Sequence, residues 1–235
     1  MEKTIKSRPQ RTHLYEVDMA RAVLVVLLVL YHAFCMYDKK WELCRNATNS
    51  EIYQWISRFA YAFLLQGYFF LSGYVWAFQR EALNKKESLV VLVKNKSIRL
   101  LLPAVSFGFI YYLLFYKGAP ISAINNDCQI FDSIMYILNG PGHLWFLPAL
   151  FWSFIIVFFI NNIHCTPTCR LLITLVCAIL PYIALPFRLG WAMFYIFFFY
   201  LGYFSFIKRD ILLKISNKVY LLGGGTLCYC IRFAL

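Results

Sequence analysis

Seven apolar stretches decide what this chain can fold into: residues 22–37, 59–78, 100–116, 144–160, 171–187, 189–207 and 219–235. Each is 16 to 20 residues long, and Arg232 is the only formal charge inside any of them. About 20 residues cross a bilayer core as a helix, and about 17 suffice for a short span. Inside lipid the backbone must satisfy its own hydrogen bonds, which a helix does within one segment. The predicted fold class is therefore all-α, a polytopic transmembrane bundle of about seven spans forming one membrane-embedded domain over 1–235. A water-soluble domain does not fit. With 61% hydrophobic and 14% charged residues, the chain lies far from the usual roughly 45–50% and 25%. The basic Met1–Arg21 segment has no small-residue cleavage site, so the first span is expected to be retained.

The cations set an orientation. With the N-terminus in the cytoplasm, the inner segments hold 16 of the 23 Lys and Arg residues, among them Lys3, Arg21, Arg80, Lys96, Arg99, Arg170 and Arg209. The outer side keeps seven, including Arg58, Lys117 and Arg188. That asymmetry is the positive-inside pattern, and the net charge of +12 reads as topology plus attraction to anionic lipid. Nucleic-acid binding would need the cations gathered on a soluble face; here they flank spans, so no nucleic-acid partner is expected. The expected location is the cell (plasma or inner) membrane.

Four of the eight cysteines, Cys35, Cys177, Cys228 and Cys230, lie within spans, where a thiol acts as a small apolar side chain. Cys44 and Cys128 fall in the two outer loops and could pair in an oxidising compartment. His164-Cys165-x3-Cys169 has no further ligand nearby, and no metal site is expected.

Polar and ionisable groups inside a span are costly and usually face the bundle interior. In the first span they read Asp18-x2-Arg21-x10-His32. An eleven-residue step at 100° per residue comes within about 20° of three full turns, so Arg21 and His32 share a face about 16 Å apart along the axis. Asp18 sits at the i,i+3 spacing from Arg21 that allows an ion pair. One reading is a general base within the membrane above a cationic anchor for a phosphate-bearing donor. An imidazole titrates near operating pH, and a guanidinium fork binds two phosphate oxygens. The plainer reading has Arg21 reaching to the interface and His32 bonding a neighbouring carbonyl. In the second span, Ser72-Gly73 reads as helix packing. Lys94-x-Lys96-x2-Arg99-x3-Pro103 would anchor the third span and could equally cradle donor phosphates. His143, which opens the fourth span after the Asn139-Gly140-Pro141-Gly142 turn, would lie at the outer interface. There it could meet an acceptor or simply join an aromatic belt. Arg188 is open to the same two readings.

Taken together, these residues resemble the acyltransferase 3 family of multi-pass membrane O-acyltransferases that modify cell-surface glycans. The likeness rests on Asp18-x2-Arg21-x10-His32, Phe69-Phe70-Leu71-Ser72-Gly73-Tyr74, Lys96-x2-Arg99 with Pro103, His143-Leu144-Trp145-Phe146-Leu147 and the stretch Arg188–Gly202 with Trp191. It implies transfer of an acyl group, commonly acetyl from acetyl-CoA as co-substrate, from the cytoplasmic side to a hydroxyl of an outer polysaccharide or glycolipid. By motif, His32 would be the catalytic histidine, with Arg21 and Asp18 its partners. Arg21, Lys96 and Arg99 would bind the donor; His143, Trp145 and Arg188 would lie on the acceptor side. The chain is shorter than usual for the family, so its last helices are expected to be missing. The competing functions are a transporter or flippase of lipid-linked sugars, with the same stripe lining a pathway, and an inactive accessory subunit.

Overall fold

A computed structural model describes residues 14–35, 37, 50–113, 130–179, 186–211 and 214. Among them there are helices and turns and no strand. Helix α1 spans Tyr15–Cys35, α2 Glu51–Ala77, α3 Leu89–Lys96, α4 Leu102–Tyr111, α5 Ile130–Leu138, α6 Phe146–Asn162, α7 Pro167–Ile179 and α8 Leu189–Ile207. Two of these are long and apolar enough to cross a membrane, Tyr15–Phe34 and Leu189–Ile207. The predicted last stretch, 219–235, and the Cys44–Cys128 pair lie outside the described residues.

Local chemistry sets the helix boundaries. Asn84, at φ 50°, ends the helical run that α2 begins, and Lys85 N–H donates back to the Gln79 carbonyl at 3.0 Å. This left-handed close satisfies one of the last carbonyls of the run. The end of α2 widens into a π-helical turn, Phe78–Ala82. A second π turn, Ser97–Leu101, joins α3 to α4. Pro103 follows it, lacking the N–H that an α-helix would offer to Arg99 and crowding that carbonyl; one extra residue in the turn relieves both. Thr166 starts α7, its Oγ1 accepting from Cys169 N–H at 3.3 Å, and Pro167 occupies the first helical position.

The helices extend beyond the apolar stretches in three places. Helix α2 begins at Glu51, eight residues before the predicted span; Ser50 is extended just ahead of it. Helix α3 covers Leu89–Lys96 of the basic stretch between the second and third predicted spans, and α5 lies inside the predicted outer loop and packs on α4. Hydropathy marks where lipid can lie, whereas hydrogen bonding and neighbouring helices carry a helix past that limit.

Helix α8 is the hub, packing on α2, α6 and α7, while α1 packs on α2 and α3 on α6. Its Phe199 and Tyr200 have no exposed surface. Helices α2 and α8 run parallel, as successive ring contacts show: Phe69 stacks on Tyr195 at 4.7 Å and Trp76 lies 5.6 Å from Tyr203. Glycine makes this approach possible. A Cβ on Gly73 would stand 1.9 Å from the Phe199 carbonyl oxygen, and one on Gly202 would stand 2.0 Å from the Phe70 oxygen. In contrast, α1 leaves Val23, Val26 and Val29 more than half exposed, an apolar face suited to lipid.

Candidate functional site

Three groups of polar residues stand out against this apolar scaffold. The first lies on α1. Arg21 and Asp18 form the expected ion pair at 3.4 Å, both side chains about half exposed. Eleven residues on, His32 is half-buried, its ring edge-on to Tyr31 at 5.0 Å. Its Nδ1 lies 2.8 Å from the Leu28 carbonyl oxygen. A carbonyl only accepts, so Nδ1 carries the proton and Nε2 of the neutral ring carries the lone pair. His32 thus bonds a neighbouring carbonyl, as the plainer sequence reading has it, and that bond leaves the ring lone pair at Nε2.

The second group lies at the end of the bundle where α2 and α8 finish. Lys96 places its Nζ 3.6 Å from the centroid of the Phe154 ring on α6. Burial, reinforced by the nearby Arg99 charge, pushes its ammonium down to about 8. Arg99 itself is exposed. Arg80 lies over both Trp76 and Phe158 at 5.6 Å, so α6 and α2 carry two cations on aromatic faces. Lys96 sits on Phe154 of α6, a ring that Trp76 of α2 also meets at 5.6 Å, whereas Arg21 lies on α1, which packs on α2. The structure thus groups Lys96 with Arg80 around the α2–α6 aromatics.

The third group lies at the opposite end. Phe187 and Arg188 both adopt left-handed backbone, at φ 56° and 59°. Asn139 holds them there: its Oδ1 accepts from Phe187 N–H at 2.9 Å, and its carbonyl accepts from Arg188 Nε at 2.7 Å. Trp152 Nε1 donates to the Phe187 carbonyl at 3.1 Å. Two adjacent non-glycine residues in this region cost on the order of 1–3 kcal/mol each, so these bonds work against strain. The following turn needs glycine at Gly140, where φ is 68° and a Cβ would meet the Leu144 carbonyl at 2.6 Å. That turn leads to Trp145, which packs on Trp191 at 4.9 Å and near Tyr195 at 5.9 Å. Trp145 and Arg188, 43 residues apart in sequence, are thereby brought to one end of the bundle. The backbone of His143 lies in the short 3-10 turn Gly142–Trp145; its side chain lies outside the described residues.

Sequence reasoning did not single out Asn139 or Arg80. Asn139 was part of a turn signal, and Arg80 counted only as a topology cation; the aromatic at i−4 from Arg80, Trp76, is the signal that marks its cation–π seat.

Compared with known families, residues 14–233 match the model of the acyltransferase domain designated acyltransferase 3. No curated protein and no solved structure matches the chain.

Proposed function

The chain belongs to the acyltransferase 3 family, and from that premise we propose that it transfers an acyl group, acetyl in the first instance, across the membrane bundle. The donor is cytoplasmic acyl-CoA, and the acceptor is a hydroxyl of a polysaccharide or glycolipid on the outer side. The topology is about seven spans with the N-terminus in the cytoplasm, in the plasma or inner membrane. The family match over 14–233 carries this reading. The tautomer that the Leu28 carbonyl imposes on His32 supports it.

His32 Nε2 accepts the proton of the acceptor hydroxyl as its oxygen attacks the thioester carbon. The tetrahedral intermediate then expels the CoA thiolate, which takes that proton from His32 Nε2 to leave as the thiol and restores the base. The new bond is C–O, the broken bond C–S, and no redox partner is needed. Arg21 is the donor-side cation on the same helix face, held in place by Asp18 at 3.4 Å. Lys96 and Arg99 take donor phosphates from the α3 side. Trp145 and Arg188 line the acceptor end with His143, the paired indoles offering a flat apolar surface to a sugar face. Membranes carrying the protein, given labelled acetyl-CoA, should pass label to glycan or glycolipid. Label that stays wholly on CoA while lipid-linked sugar moves across the membrane would identify a transporter instead.

The Lys96 environment gives a pH signature. Its ammonium is charged below about pH 8 and loses its proton above it, so phosphate attraction fades as pH rises through 8. The profile of kcat/KM for acetyl-CoA reports the free enzyme and should fall through that range. Lys96→Arg keeps its charge and should remove the fall; a profile unchanged by the substitution would dismiss Lys96 from donor binding. At the other end, Asn139→Ala removes the acceptor for Phe187 N–H. The Arg188 turn should relax, raising the acceptor KM about tenfold, the scale of one lost hydrogen bond, with the donor KM unchanged. Equal changes in both constants would contradict the acceptor-side placement.

A further inference from the structure

Between the π-helical end of α2 and the ends of α7 and α8 lies a cleft of about 410 Å³, lined by Glu81, Arg170, Tyr203, Phe206, Arg209 and Asp210 among others. Its lining carries two carboxylates and two guanidiniums, and both carboxylates have partners close by. The Glu81 carboxylate accepts from Tyr203 O–H at 2.6 Å and has Arg80 at 4.0 Å. Asp210 has Arg209 at 3.7 Å. Arg170, in the first turn of α7, meets no carboxylate within ion-pair distance among the described residues. It donates to the Ile163 carbonyl at 2.9 Å and more weakly to Asn161 Oδ1 at 3.4 Å. The start of a helix carries partial positive charge, so a guanidinium there is opposed by the helix dipole.

Polar atoms around Arg170 are short of partners too. Arg170 Nε and Asn161 Nδ2 are buried and meet no hydrogen-bond partner among the described residues. The orientation of the Asn161 amide is set by its Oδ1 accepting from Arg170. The Tyr200 hydroxyl lies beside Arg170, on a residue with no exposed surface. Arg170 Nε and Asn161 Nδ2 both carry hydrogens to donate, and buried donors left over are uncommon in folded proteins. Unmet donors beside a guanidinium that meets no carboxylate among the described residues call for a ligand rich in acceptors and negatively charged.

We propose that this cleft is a phosphate site anchored on Arg170, with Arg209 at its rim. Phosphate suits it because its oxygens accept along the free edge of a guanidinium fork. The group can arrive on an anionic lipid headgroup, since basic pockets between helices at the cytoplasmic side take such lipids, or on a soluble phosphate compound. The proposal does not rest on acyl transfer, because binding is read without any transfer.

The test uses the full chain, purified in detergent and stripped of lipid, with two probes: inorganic pyrophosphate and short-chain dihexanoylphosphatidylglycerol. Calorimetry should give saturable binding of at least one probe. Arg170→Gln should weaken it about tenfold or more, as loss of a charged hydrogen-bond donor does. Lys85→Gln, in the exposed turn after α2, should leave it unchanged. Arg170 also fastens the α6–α7 turn, so Arg209→Gln, on an exposed side chain, tests the cleft without that risk and should weaken binding severalfold. Binding of the lipid alone assigns the headgroup as the source, and binding of pyrophosphate alone assigns a soluble phosphate. Failure of both probes to bind, or binding equal to wild type in both variants, overturns the proposal.

Discussion

Replacing His32 with alanine is expected to lower acyl transfer by about 10²–10⁴-fold, the usual contribution of a positioned general base, while the protein still inserts and folds. The expectation of normal folding has a structural reason. His32 is half-buried near the end of α1, and its Nδ1 bond runs back to Leu28 of the same helix. His32→Gln keeps a side-chain donor for the Leu28 carbonyl but supplies no base, and it should be as inactive as alanine. His32→Gln with wild-type rate would place the catalytic base elsewhere.

The second large effect is structural. Gly73→Ala should cost about 3 kcal/mol or more, at or beyond the usual range for overpacking, because the added methyl meets backbone at 1.9 Å. Helix α8 cannot retreat without losing its contacts with α6 and α7. Gly202→Ala should behave alike, its methyl meeting the Phe70 carbonyl at 2.0 Å. Gly67→Ala is the control. Its methyl would approach within 2.6 Å of the Leu24 side chain, a flexible group that can turn aside, so the loss should be small. Melting of the purified variants followed by size-exclusion chromatography separates them. Equal melting temperatures for Gly73→Ala and Gly67→Ala would refute the close α2–α8 packing.

The helical class was legible because it follows from apolar runs too long for anything else in a bilayer. The Asp18–Arg21 pair was legible too, since helix periodicity places neighbours within one element. Packing at Gly73 was read correctly as to kind, but its partner was not. Sequence contains nothing that joins residue 73 to Phe199, because that pairing depends on how whole helices dock. The same limit hid the Asn139–Arg188 link, which spans two turns, and the cleft around Arg170, whose residues come from α2, α7 and α8. Helix α5 was missed because the polar residues before it in 117–129 marked the whole region as a loop. The π turns had a local cause in Pro103 for one of them, yet their position depends on strain that composition does not carry.

In the proposed reaction the acyl group enters at the end of the bundle carrying Arg21 and Lys96 and leaves at the end carrying Trp145 and Arg188. Sealed proteoliposomes of known protein orientation test this directly, with labelled acetyl-CoA on one face and glycan acceptor on the other. Label should reach the acceptor when the donor faces the Lys96 end, and vanish when the two are exchanged. Transfer confined to donor and acceptor on the same face would contradict passage through the bundle.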